Sequence, residues 1–186
     1  MSDSLKNHFL IAMPGLADSL FAHSITYLCE HGDQGAMGIV INRPLDLCYS
    51  DIFEHLEIEG HDTNDNRPVL SGGPVQTDRG FVLHRRSSHW NWQSTLHVTS
   101  AISVTTSRDI LDAVALREGP NEAIIALGYA GWSSGQLEQE LASNAWLTVT
   151  AEPDIIFELP LEQRAQAAAR LLGINLDLLS STTGHA

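Results

Sequence analysis

The stretch AIIALGYAGWSSGQLEQEL, residues 123–141, constrains the fold of this chain more than any other. A short apolar run breaks at glycines and restarts as a polar segment of helix formers. Strand, tight turn and helix is the arrangement that sets a functional group at the lip of a sheet. Other segments rich in Val, Ile and aromatics predict strands over 8–13, 25–30, 36–42, 69–71, 80–84, 94–98, 123–129 and 146–150. Start signals predict four helices. Asp51 and Glu54 have capping-box spacing, as do Thr106 with Asp109 and Ser133 with Gln136. The fourth opens at Pro160 and stops at Gly173, with Leu161, Ala165, Ala168 and Leu172 as its buried face. Strands outnumber helices and do not alternate with them in regular βαβ order. The expected class is therefore α+β, and 186 residues suit a single domain over 1–186. The polar run HDTNDNRP, 61–68, reads as a mobile loop, and 180–186 as a frayed tail.

Charge excludes some functions. Ten Lys and Arg against 23 Asp and Glu leave a net charge of −13. Affinity for nucleic acid comes mostly from cations neutralising phosphates, so direct nucleic-acid binding is disfavoured, as is an anionic membrane surface. Arg85-Arg86 is the sole adjacent basic pair. The loop after it carries Trp90 and Trp92, which read as caps on the core in preference to a base-stacking platform. The N-terminal apolar run, Phe9 to Met13, is too short for a signal-peptide core or a membrane span. Cys29 and Cys48 lack C-x-x-C spacing and read as reduced thiols of a cytoplasmic protein.

Several residues invite chemistry. Gly131-Trp132-Ser133-Ser134-Gly135 fits the G-x-S-x-G spacing of a hydrolase nucleophile elbow. The one histidine after it, His185, lies in the tail, although an earlier one such as His84 can complete a triad by geometry. A helix-capping role explains Ser133 without catalysis, and no catalytic residue is assigned. Cys29 and His31, two apart in a strand, are expected to share a face, which makes Cys29 a candidate redox thiol. No histidine or cysteine pair has metal-ligand spacing. Gly72-Gly73-Pro74 permits close backbone approach but is neither a Walker A loop nor G-x-G-x-x-G, so no cofactor is expected. Arg43 and Arg79 are candidates to line a site for a small anionic ligand.

Taken together, HFLIAMP (8–14), YLCEHGDQGAMGIVINRPL (27–45), GGPVQTDRGFVLH (72–84), TTSRDIL (105–111), GYAGWSSGQLEQEL (128–141) and NAWLT (144–148) closely resemble the AlgH/YqgE family of bacterial proteins. The resemblance implies a cytoplasmic protein with a bifurcated, mixed sheet surrounded by helices. The family is named for the regulation of alginate production, and its members are described as transcriptional regulators. It implies no enzymatic activity. Residues matching its motifs include Cys29, Glu30, His31, Arg43, Gly72, Gly73, Pro74, Asp78, Arg79, Tyr129, Trp132, Gly135 and Gln136. Of these, Arg43, Gly72, Gly73, Asp78, Arg79, Tyr129 and Trp132 are the expected ligand-binding surface. The chain has no helix-turn-helix with a basic recognition helix, so regulation is expected to run through a ligand or a protein partner.

Overall fold

A computed structural model describes residues 3–14 and 21–182. Among these the elements run β1 (His8–Ala12), β2 (Ile25–Gly32), β3 (Gly35–Val40), β4 (Pro44–Cys48), α1 (Tyr49–His55), β5 (Pro68–Ser71), β6 (Val75–Arg85), β7 (Thr95–His97), β8 (Ile102–Thr105), α2 (Arg108–Ala115), β9 (Ile124–Ser133), α3 (Gln136–Ala142), β10 (Trp146–Thr150), α4 (Pro153–Phe157), α5 (Leu161–Arg170) and α6 (Leu176–Thr182). The strands form one sheet in the order β10-β1-β2-β3-β9-β6-β8-β7, with β4 and β5 off this path. The fold is α+β, in one domain.

The sheet forks at β9. One edge of β9 pairs antiparallel with β6. Its other edge is shared. Ala126 and Leu127 pair in parallel with Leu70 and Ser71 of β5, whereas Ala130 to Ser133 pair antiparallel with β3. Three backbones meet at the branch. The Gly72 N–H donates to Leu127 O (2.8 Å), and Gly72 O accepts from the Val40 N–H (2.9 Å). A Cβ on Gly72 would lie 2.3 Å from Gly128 O, and one on Gly73 2.1 Å from the Tyr129 carbonyl carbon. Gly73 and Gly128 also hold φ of +153° and +78°, where side chains are strained.

Because successive residues of a strand face opposite sides, β9 supplies several cores. Ile124 and Ala126 join a cluster with Phe9, Ile11 and Tyr27 that α4 and α5 cover through Ile155, Ile156, Ala168 and Ala169. Ile125 packs with Val69, Val82 and the inner faces of α1 and α2. Beyond the fork, Ala130 and Trp132 pack with Leu10, Leu28, Trp146 and Leu137 of α3.

The structure departs from the sequence-based expectations in several places. β4, β8, α4 and α6 were not expected. β4 is short, exposed and opens on proline, and α4 has only five residues. Asp51 is not the cap of α1. It stands in the first turn, and its carboxylate accepts the Cys48 N–H (2.9 Å). The N-cap position of α2 is Ser107 and not Thr106, and the Ser107 side chain makes no capping bond. The buried side of α5 is rotated, with Arg164, Ala168 and Ala169 buried and Leu172 exposed. The 61–68 loop is anchored: Arg67 makes a two-pronged bond to Asp65 and lies 4.4 Å over the Tyr49 ring, Asp62 meets Arg117 (3.0 Å), and Pro68 already belongs to β5. Residues 180–182 close α6, and 183–186 lie outside the described residues.

The fork predicts a contrast between two glycines. Gly73→Ala should destabilise by about 3 kcal/mol or more in urea unfolding, through backbone collision and strain. Gly80→Ala, where a Cβ meets nothing within 4 Å, should cost under about 1 kcal/mol. Equal midpoints for the two variants would refute this account of the branch.

Candidate functional site

An open groove of about 830 Å³ lies between β3, β9, β6, β8 and β7. Its floor carries Tyr129 against Phe81, with ring centroids 5.5 Å apart in an edge-to-face contact. The register between β6 and β9 shifts between Val75 and Gly80, so residues 76–79 are spare length that arches off β9. The arch puts Arg79 at the rim. Its guanidinium carbon lies 5.6 Å from the Phe81 ring centroid, and its nitrogens reach only neutral oxygens, Gln76 Oε1 (3.3 Å) and Thr106 Oγ1 (3.4 Å). Among the described residues no carboxylate comes within 4 Å of it. Ser94, Thr95 and Thr106 add hydroxyls to the wall, and the exposed Glu30 lies on the β2 side.

Of the expected ligand-binding residues, Arg79, Tyr129 and Trp132 line this groove. Trp132 turns its indole to the other face, where Nε1–H donates to Glu140 Oε1 (3.1 Å), the same oxygen that accepts from Trp146 (2.9 Å). Arg43 does not line the groove; its Nη2 donates to Ala22 O (2.7 Å). Gly72 and Gly73 lie at the fork and serve packing. Asp78 is exposed on the arch but does not line the groove. Sequence reasoning missed Phe81. The alternation of β6 contained the signal, since residues 79 and 81 share a face of a strand.

Cys29 and His31 do not share a face. β2 pairs Leu28 with Gly38 but Glu30 with Met37, so Cys29 is the extra residue of a β-bulge, which resets the alternation. Cys29 is fully buried in the core under α4 and α5. Burial, with a smaller contribution from Glu30, pushes its thiol above the ordinary range. His31 faces the other way. Its Nδ1 accepts the Leu5 N–H (2.8 Å), which leaves Nε2–H to donate to Glu138 Oε1 (2.6 Å). That bond holds the Glu138 carboxyl below the usual carboxylate range.

The elbow geometry is absent at Ser133. β9 runs unbroken to this residue, and the left-handed turn falls at Gly135. Ser133 is not the cap of α3; its N–H and Oγ both donate to Gln136 Oε1 (3.0 and 3.3 Å). His84 belongs to a separate cluster, with Nε2 at 2.8 Å from Thr105 Oγ1. His185 lies outside the described residues. In the Trp loop the two indoles stack at 6.4 Å, and Trp92 packs on the second core. Arg85 is taken up by Glu122, Asp154 and Glu158.

Comparisons with known proteins agree on one family. The model of the AlgH-like family matches residues 9–177. A UPF0301 protein of Thioalkalivibrio sulfidiphilus is 57% identical over 185 residues, covering 100% of this chain and 98% of the relative. One from Saccharophagus degradans is 55% identical over 183 residues, covering 98% and 89%. The solution structure of AlgH from Pseudomonas aeruginosa superposes with a TM-score of 0.80 at 50% identity, covering 100% and 99% of the two chains. A Corynebacterium diphtheriae crystal structure shares the fold alone, with a TM-score of 0.74 at 16% identity and coverage of 97% and 93%.

Two outcomes follow from the burial of Cys29 and His84. Iodoacetamide should modify the half-buried Cys48 in the native protein and reach Cys29 only on unfolding, as peptide mass mapping would reveal. Rapid native labelling of Cys29 would contradict its burial. Burial also lowers the pKa of His84, with a backbone hydrogen bond opposing and His97 adding a little. The unfolded chain binds this proton near pH 6.5, about the free value, before the folded one does. The stability contribution is therefore complete above about pH 6.5 and declines as pH falls toward the lower folded value. His84→Gln should remove part of the fall in urea midpoint between about pH 7.5 and 5.5; an unchanged fall would refute the assignment.

Proposed function

The chain belongs to the AlgH-like family, and within it we propose a binding protein and not a catalyst, with the Arg79 groove as the site for a small anionic ligand. Its effect on gene expression is indirect, through that ligand or a protein partner. One observation supports this reading most. Arg79 stands over the Phe81–Tyr129 pair with only neutral oxygens around it, in a chain of net charge −13. A guanidinium without a carboxylate partner beside an aromatic floor favours a ligand with an anionic end and a planar or apolar body. Glu30, on the β2 side, disfavours a second anionic group there and so fixes the direction in which the ligand lies.

Other readings have less support. The Ser133 hydroxyl is occupied by Gln136 and meets no imidazole among the described residues, which leaves no base for hydrolysis. A thiol sensor at Cys29 would need an exposed, acidified sulfur, the reverse of its environment. Against direct DNA binding stand the net charge and the ion pairs that engage Arg67, Arg85, Arg108 and Arg117. The two free cysteines suit the reducing cytoplasm. No helix of the described residues is long and apolar enough to cross a membrane.

Adenosine monophosphate is a suitable probe, with one anionic end and one planar body. Titrated into the isotope-labelled protein, it should shift the amide signals of Arg79, Tyr129 and Gly131 saturably. Arg79→Gln should weaken binding about tenfold or more, the loss expected for a charge-assisted hydrogen bond. No shift at about 5 mM, or equal affinity for the variant, would count against the groove as an anion site.

A further inference from the structure

A second cavity lies between α1, β5, the start of β9 and the α4–α5 corner, with a volume of about 280 Å³. Its walls are mostly apolar, from Leu70, Ile124, Phe157 and Leu161 with the Tyr49 ring. Arg164 of α5 also lines it and is only 7% exposed. The Arg164 side chain donates through Nε to Leu159 O (3.1 Å) and through Nη1 to Ile41 O (2.5 Å). A guanidinium has five N–H groups, and among the described residues three of these have no protein acceptor. Among the described residues no carboxylate lies within 4 Å of it. Burying an ion without a counter-charge is unfavourable, and burial here disfavours the charged form, with Tyr49 and Glu162 opposing weakly.

The remaining charges of the cavity cancel in pairs. Arg67 is held by both oxygens of Asp65, and Glu122 accepts from Arg85 Nε (2.6 Å). The Tyr49 hydroxyl is also engaged, donating to Ala123 O (2.6 Å) and accepting the Ile125 N–H (3.1 Å). Among the described residues lining the cavity, Arg164 is therefore the charge without an opposite charge in contact, in a mostly apolar cavity of about 280 Å³, just under the usual range for ligand pockets of about 300–1,000 Å³.

We propose that this cavity binds a small organic monocarboxylate, its carboxylate on the Arg164 guanidinium and its hydrocarbon body against Phe157, Leu161 and Ile124. Carboxylate matches the planar fork of arginine and neutralises a single positive charge. A dianionic phosphate would leave one negative charge buried in place of the positive one. The site is separate from the Arg79 groove and does not depend on it.

3-Phenylpropanoate, its neutral counterpart 3-phenylpropan-1-ol and inorganic phosphate distinguish the outcomes when titrated into the isotope-labelled full-length chain. The carboxylate should shift the amide signals of Ala123, Ile124, Leu161 and Arg164 with a Kd of about 1 mM or below. The alcohol should bind at least about tenfold more weakly, and Arg164→Gln should lower carboxylate affinity by about tenfold or more. If Arg164→Gln does not fold, the comparison of acid with alcohol on the native chain decides. No shift of these signals at about 10 mM, equal binding of acid and alcohol, or tighter binding of phosphate there would overturn the proposal. Shifts confined to Tyr129 and Gly131 would overturn the cavity while leaving the groove reading intact.

Discussion

The close approach of three backbones at Gly72, Gly73 and Gly128 is the constraint on which the rest of the structure depends. β9 can accept β5 along its first half and β3 along its second only if the chain between them crosses without side chains. Alternation along β9 and the fork together separate three cores, each covered by its own helices. The fork also positions the groove, because Tyr129 follows Gly128 directly and faces the strand that carries Phe81 and Arg79.

Charge follows a similar economy. An acidic chain pairs several of its arginines with carboxylates on neighbouring loops and helices, as at Arg67, Arg85, Arg108 and Arg117. Surface pairs of this kind add little stability singly, but each removes a cation from the pool available to an anion. Arg79 and Arg164 are among the arginines outside this pattern, for different reasons. Arg79 is lifted off the sheet by the arch at residues 76–79. Arg164 is drawn inward by two main-chain carbonyls that tie α5 to the end of β3 and to the α4–α5 turn. Both face cavities, one wide and open and the other small and largely apolar.

Much of the fold was legible because alternation and helix punctuation are local signals. The strands over 8–12, 124–129 and 146–150, and the α5 segment after Pro160, follow directly from them. The misreadings have local causes too. The bulge at Cys29 is invisible to a period-two count, so His31 was assigned to the wrong face. Asp51 and Ser133 fit capping patterns, but the N-cap positions fall at Cys48 and Gly135, with Asp51 at N3 and Ser133 still in β9. Arg43 and Arg79 look equivalent as arginines beside turns, yet one is tied to a main-chain carbonyl and the other overlooks the groove. Arg164 stands outside the buried face that helix periodicity assigns to α5, and packing against distant strands buries it.

Composition and pattern alone determined the α+β class, the acidic surface, the free thiols and the family motifs, because these depend on residue identity and on neighbours a few positions away. The tertiary structure alone decided which glycines cross, which arginine meets an aromatic floor and which one is buried without a counter-charge. Those outcomes depend on pairing between segments far apart in the chain, where a one-residue shift in register turns a side chain to the opposite face.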